Sequence, residues 1–245
     1  MPDFLSLLSN PQTYISLATL TLLEIVLGID NIIFISILAA KLPEENRQRA
    51  RVIGLVLALV GRLVLLSSIA WLTTLTEPLV HYAGIELSGK DIVLLLGGLF
   101  LIYKASQEMY EKVECTVEQE HELTIARAAF AGIVAQIIFI DIVFSLDSII
   151  TAVGLVKQLP IMFTAVIISM FIMIWAAPGI GDFIDRHPSV KILALSFLLM
   201  IGTLLVAEAF GYEIPKGYVY FSLAFSLFVE SINIRMRNNH NKKIS

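Results

Sequence analysis

The sequence predicts an all-α polytopic membrane bundle of about seven transmembrane helices, and three observations predict it. Hydrophobic residues fill 57% of the 245 positions and charged residues only 16%, against roughly 45–50% and about 25% in soluble domains. Seven segments approach the roughly 20 apolar residues that a spanning helix needs. The basic residues gather on alternate connections between those segments.

The expected spans are 13–40, 52–75, 91–108, 128–156, 161–177, 190–208 and 218–234. Before the first, Met1-Pro2-Asp3-Phe4 lacks the basic start of a cleaved signal peptide, and the apolar run that follows is too long for one. That span is therefore expected in the mature protein. Lys41-Leu42-Pro43-Glu44-Glu45 and Thr76-Glu77-Pro78 bound the second span with turn-forming residues. The third is expected to run past the membrane into Tyr103–Glu114, where Lys104, Glu108, Glu111 and Lys112 alternate in sign. A charged connection, 111–127, holds the single cysteine, Cys115, which excludes an internal disulfide framework and any thiolate cluster. Leu159-Pro160, His187-Pro188 and Pro215-Lys216-Gly217 separate the last four spans. In the second connection, His81 and Glu86 are weighed as an outer metal vestibule against an ordinary solvated loop, and the loop is favoured.

No connection is long enough for a separate domain, so residues 1–245 are expected to form a single transmembrane domain. The net charge of −4 and the lack of a long basic tract argue against nucleic-acid binding. With the N-terminus outside, thirteen Lys and Arg fall on inside segments and three (Lys90, Lys157, Lys216) on outside ones. This positive-inside bias predicts N-out, C-in topology. Arg62 is the one basic residue left within an apolar span.

Two spans carry the same motif. Leu23-Glu24-Ile25-Val26-Leu27-Gly28-Ile29-Asp30-Asn31-Ile32-Ile33 and Ile140-Asp141-Ile142-Val143-Phe144-Ser145-Leu146-Asp147-Ser148-Ile149-Ile150 align residue for residue. Each has an acid, a small residue four positions on, a second acid, and a polar residue next to it. Spans three and six correspond more loosely, ending in Glu108 and Glu208. The economical description is a 3+3 repeat (about 13–110 and 127–210) with an extra helix at about 218–234. Spans one and four cross in opposite directions, which is the inverted arrangement that brings transporter half-sites together at the midplane.

A carboxylate at that depth costs about 2.5–3.5 kcal/mol on insertion scales, so four cost on the order of 10 kcal/mol. Such residues are functional by default. Pairing with Arg62, Lys104 or one another is the structural alternative, but one arginine cannot neutralise four acids. Seven residues return to the same helical face, so Glu24 shares a stripe with Asn31, and Asp141 with Ser148. Six residues turn the chain by about 240°, so the two acids of each motif would face apart on a regular helix. Local unwinding at Gly28 and Ser145 would turn both inward and free backbone carbonyls. A straight helix is the alternative.

The expected metal-site residues are Glu24, Asp30, Asn31, Asp141, Asp147 and Ser148, with Ser145 nearby. All are oxygen donors, which suit Mn²⁺, Ca²⁺ or Mg²⁺ over Zn²⁺ or Cu⁺. Met170, Met173 and Met200 are read as packing. The cation is expected as transported substrate, with no tightly bound cofactor and no enzymatic activity. Export of a double charge against an inside-negative potential costs about 4.6 kcal/mol per 100 mV, and proton exchange at the same carboxylates is the simplest coupling.

These two motifs resemble the paired motifs of the TerC family of membrane proteins. The likeness extends over nearly the whole chain, including Leu95-Gly97-Gly98-Leu99-Phe100-Leu101, Ile180-Gly181-Asp182-Phe183 and His187-Pro188-Ser189-Val190-Lys191. It is similar to the short form of the family, without appended CBS and transporter-associated domains. The resemblance implies a LysE-type transporter fold, manganese(II) efflux, and multi-pass placement in a bacterial inner membrane. It also implies a link to tellurite-resistance loci and to metal supply for exported proteins. Carried over, the motif acids are Glu24, Asp30, Asp141 and Asp147, with Asn31 and Ser148 beside them.

Two rival readings compete with transport. One is a non-transporting assembly or metallation partner that contacts protein-translocation machinery, with 111–127 as its docking surface. The other is an intramembrane aspartyl protease, from the Gly179-Ile180-Gly181-Asp182 pattern, read instead as a helix-end turn whose Asp182 could line an inner vestibule. Oligomeric state is not legible in the sequence.

Overall fold

A computed structural model describes residues 11–82, 85–114, 123–155, 158–212 and 214–244. Helices α1 (Pro11–Ala39), α2 (Glu44–Ser67) and the short α3 (Ile69–Thr74) lead into a hairpin of β1 (Pro78–Tyr82) and β2 (Ile85–Ser88). Helices α4 (Gly89–Glu114), α5 (Leu123–Leu155), α6 (Leu159–Arg186), α7 (Pro188–Ala209) and α8 (Lys216–Ile244) follow. Among the described residues, seven stretches are long and apolar enough to cross a membrane: six in α1, α2, α4, α6, α7 and α8, and Phe130–Ile150 within α5.

Local chemistry sets the helix ends. Glu44 and Glu45 occupy the first turn of α2, where carboxylates oppose the positive end of the helix dipole. Ser88 and Asp91 cap α4 reciprocally. The Asp91 carboxylate accepts from the Ser88 amide at 2.8 Å, and the Asp91 amide donates to Ser88 Oγ at 3.2 Å. Prolines at 160 and 188 sit in the first turns of α6 and α7, where a missing N–H costs nothing. Gly211, at φ +82°, ends α7. Its amide donates to Glu208 O, and that of Tyr212 donates to Ala207 O, which closes the helix with a left-handed residue.

Three expectations about the elements are corrected. The second span breaks at Ser68 rather than running to 75, and the connection after it is a paired hairpin rather than a plain loop. The fifth span does not end at 177. It continues through Pro178 to Arg186, so Gly179–Asp182 is helix and not a turn. The proline removes one backbone bond, which neighbouring helices make tolerable in a membrane bundle. The proposed unwinding at Gly28 and Ser145 is absent, since α1 and α5 are helical throughout. The extension of α4 to Glu114 is as expected. Cys115 and the rest of 115–122 lie outside the described residues, as do the side chains of His81 and Glu86, whose backbones face each other across the hairpin.

The main helix contacts are α4 with α7, α1 with α6, α2 with α5, α2 with α6, and α1 with α5. Exchanging α1 with α5, α2 with α6 and α4 with α7 maps these five pairs onto themselves, while the contact of α1 with α2 has no α5–α6 counterpart of comparable extent among the described residues. Glycines permit the closest approaches. A Cβ at Gly98 would lie 2.7 Å from Gly202 O, and one at Gly202 would lie 2.9 Å from Gly98 O, so α4 and α7 meet backbone to backbone. The larger of two core clusters draws Ile, Leu, Val, Ala, Phe and Met from α1, α2 and α4–α8, and a smaller one joins α1, α2, α3, α5 and α6 through residues such as Leu20, Leu66, Leu72, Leu146 and Ile161. Large apolar side chains also cover the outside: Trp175 is 83% exposed, and Tyr218, Phe221, Phe225 and Phe228 line the open face of α8. An apolar exterior of this extent suits lipid as the surrounding solvent.

Candidate functional site

The polar centre of the bundle is assembled from one stripe on each of three helices. On α1 the stripe holds Glu24 and Asn31; on α5 it holds Asp141, Ser145 and Ser148; on α2 it holds Arg62. All six are buried. The motif spacing makes this possible, because intervals of three, four and seven residues repeat one helical face.

Arg62 joins the two motif helices. Its Nη1 donates to Glu24 Oε2 at 2.7 Å and its Nη2 to Asp141 Oδ1 at 2.9 Å, with Nε 3.3 Å from the same oxygen. Asn31 Nδ2 donates to Asp141 Oδ1 at 2.8 Å, and Ser145 Oγ donates to Asp141 Oδ2 at 3.2 Å. Ser148 Oγ donates to the Ser145 carbonyl at 3.2 Å. Among the described residues, Asn31 Oδ1 is buried with no hydrogen-bond partner. An orphaned buried acceptor beside two carboxylates is a poor solution for stability and a good one for a cation.

The structure thus brings Glu24, Asn31, Asp141 and Ser145 together, with Ser148 one turn along α5. Asp30 and Asp147 stand in the continuous helices α1 and α5, and their side chains lie outside the described residues. Among the described residues, no three Asp, Glu, His or Cys side chains gather closely enough to hold a metal ion. The oxygen donors that could face a cation are Glu24, Asp141 and Asn31 Oδ1.

Gly28 has a role other than the expected helix break. A Cβ there would lie 2.0 Å from Met173 Sδ, so the glycine lets α6 approach α1. Spacing alone could not show this, since the partner is 145 residues away in the chain.

A second polar cluster occupies one end of the bundle. Arg51, buried on α2, donates to Asp182 Oδ1 at 3.2 Å and Asp185 Oδ2 at 2.8 Å on α6. Its guanidinium lies against Gly181, where a Cβ would come within 2.4 Å of the central carbon. The Gly181-Asp182 pair is therefore an arginine seat. A cavity of about 640 Å³ opens there, lined in part by Glu44, Arg47, Arg51, Asp182, Asp185 and Arg186. Asp182 is one of the residues that line this cavity. Arg51 and Arg62 are eleven residues apart, about three turns and roughly 16 Å along α2, so they share one face of that helix.

Sequence reasoning weighed Arg62 as a partner for one of the acids but missed that it bridges Glu24 and Asp141, and missed the Arg51 bridge altogether. The available signals were Arg62 alone in an apolar span and two glycines at 179 and 181 beside a run of acids. Other ion pairs tie the helix ends. Lys41 contacts Glu108 at 2.6 Å and Glu111 at 2.7 Å, and Lys90 contacts Glu208 at 3.0 Å. Burial opposes the charge on Lys41, but hydrogen bonds to Glu108 and Glu111 outweigh it and raise its pKa above the ordinary 10.5.

Comparison with known proteins agrees with the membrane architecture. The family described as "Integral membrane protein TerC family" matches residues 9–244. The chain is 53% identical to the "UPF0053 inner membrane protein YgdQ" of Escherichia coli K12 over 234 residues, covering 96% of this chain and 97% of that one. It is 51% identical to a "UPF0053 protein" of Haemophilus influenzae over 232 residues, 94% of this chain and 97% of the relative. A longer relative, "UPF0053 inner membrane protein YoaE" of Escherichia coli K12, is 48% identical over 95% of this chain but only 45% of its own length. No solved structure matches.

Proposed function

This chain belongs to the TerC family, as a multi-pass protein of the inner membrane, and on that premise we propose that it exports a divalent cation, with Mn²⁺ as the favoured cargo. The single observation that carries the proposal is the buried group of Glu24, Asp141 and Asn31 Oδ1, the last without a partner among the described residues, contributed by the two motif helices. Intramembrane carboxylates facing a bundle interior mark ion pathways. Their hard oxygen chemistry selects Mn²⁺, Ca²⁺ or Mg²⁺ as a class, and the family resemblance picks manganese from that class.

In this reading α1 and α5 are the half-sites of an inverted repeat. The exchange symmetry of the helix contacts supports it. The N-terminus lies outside, and the cavity at Arg51 opens to the cytoplasm as the entry vestibule, in keeping with the basic residues concentrated at that end. Asp30 and Asp147 complete the ligand set as the cargo passes. Proton exchange at the carboxylates drives export against the membrane potential, which opposes a double charge by about 4.6 kcal/mol per 100 mV.

Among the described residues, no observation favours the partner or protease readings. Asp182, on which the protease reading depends, has one carboxylate oxygen 3.2 Å from Arg51 Nη1.

The test is metal flux in proteoliposomes with Mn²⁺, Ca²⁺ and Mg²⁺ compared and lumenal pH recorded. Asp30→Asn, Asp147→Asn and Glu24→Gln are each expected to reduce flux at least tenfold. Flux in these variants equal to that of the unmodified protein would sink the midplane-site model.

A further inference from the structure

On the cation-transport reading, the buried arginine of the site has a role of its own. Arg62 holds the oxygens that a cation would need. Its guanidinium spans Glu24 Oε2 at 2.7 Å and Asp141 Oδ1 at 2.9 Å, and the residue is 2% exposed. Asn31 reaches the same Asp141 oxygen through its amide nitrogen, leaving its own oxygen open. A guanidinium stays protonated at any pH a cell reaches. Arg62 therefore cannot vacate these oxygens by losing a proton. It must move.

The charge balance suggests why it is there. Glu24 and Asp141 carry two formal negative charges and Arg62 one positive, leaving the described group one negative charge in excess. A divalent cation that replaces the guanidinium offsets one more negative charge than Arg62 does. A monovalent cation that replaced it would gain no charge and would lose the two-pronged hydrogen bonding that the guanidinium makes with carboxylates.

We propose that Arg62 is a tethered counter-cation. It fills the site when cargo is absent, is displaced when a divalent cation enters, and returns to help expel the cation on the far side. It also makes the site selective for double over single charge, because the resident positive charge already matches what Na⁺ or K⁺ would bring. Removing it exposes bare carboxylates, which bind cations more tightly and with less regard for valence.

The test is Mn²⁺ binding to the purified full-length protein in nanodiscs, read by electron paramagnetic resonance of the free ion while Na⁺ is titrated in. Relative to the unmodified protein, Arg62→Gln is expected to bind Mn²⁺ at least tenfold more tightly and to become sensitive to Na⁺. In proteoliposomes its Mn²⁺ turnover falls because release is slowed. Arg62→Lys keeps the charge but loses the fork, so it binds Mn²⁺ severalfold more tightly and still resists Na⁺. Unchanged or weaker Mn²⁺ binding in folded Arg62→Gln overturns the proposal. Should that variant fail to fold, unchanged or weaker binding in Arg62→Lys overturns it instead. The parent reading has its own control. If Mn²⁺ binding by the unmodified protein and by Arg62→Lys is indifferent to Asp141→Asn, cation binding at this site is itself wrong, and the counter-cation role falls with it.

Discussion

Replacing Asp141 separates what the buried network contributes to stability from what it contributes to transport. Its carboxylate accepts from Arg62 at 2.9 Å, Asn31 at 2.8 Å and Ser145 at 3.2 Å. Asp141→Ala removes the acceptor for all three donors and leaves Arg62 with Glu24 alone. Breaking one side of a buried ion pair costs about 3–5 kcal/mol. At roughly 2–4 °C per kcal/mol for a chain of this size, Tm should fall by about 6–20 °C. Asp141→Asn keeps an acceptor oxygen, and Asn31 can turn its amide to meet the new NH₂, so the loss should be about 1.5–3 kcal/mol, that of a charge-assisted hydrogen bond. The decisive variant replaces the triad as a whole, Glu24→Leu, Arg62→Met and Asp141→Leu together. An apolar substitute for a buried ionic group is often neutral or stabilising, so its Tm should match or exceed that of the unmodified protein while Mn²⁺ flux is abolished. Thermal survival of the monodisperse detergent-solubilised protein at one scan rate provides the assay. A cost below about 1 kcal/mol for Asp141→Ala would refute the network as described. So would a triple variant as unstable as Asp141→Ala.

The other predictions concern packing and the ends of the helices. Gly98→Ala should destabilise by about 1–3 kcal/mol because its Cβ meets the Gly202 carbonyl, which cannot step aside. Gly61→Ala on α2, with nothing within 4 Å, should stabilise by about 0.5–1 kcal/mol, and thermal scans of the pair measure the contrast. Asp185→Asn should destabilise more than Asp182→Asn, since the Asp185 side chain is 23% exposed and that of Asp182 60%; denaturation of both variants gives the order. Lys41 has its pKa raised, first against the effect of burial and then by Glu108 and Glu111. A raised pKa adds stability that is fully present below the unfolded value near 10.5 and is lost as pH rises through the folded value. The Tm deficit of Lys41→Met should therefore be the same at pH 6 and pH 9 and shrink only at more alkaline pH.

Composition and seven apolar stretches were enough to read a bundle of spanning helices, because lipid leaves a chain this apolar few other options. Helix periodicity also made the Glu24–Asn31 and Asp141–Ser148 stripes readable, since local geometry alone sets which residues share a face. The partners across the bundle were not readable. Arg62 stands 38 residues from Glu24 and 79 from Asp141, and only the packing of α2 against α5 and α1 sets the guanidinium between them. Gly28 looked like a helix breaker from its place between two acids, but it is a packing surface for Met173. Gly181 looked like part of a turn, but it seats Arg51 in a continuous helix. A glycine in a sequence marks only a missing side chain; what fills the space belongs to another segment, and tertiary structure alone supplies it.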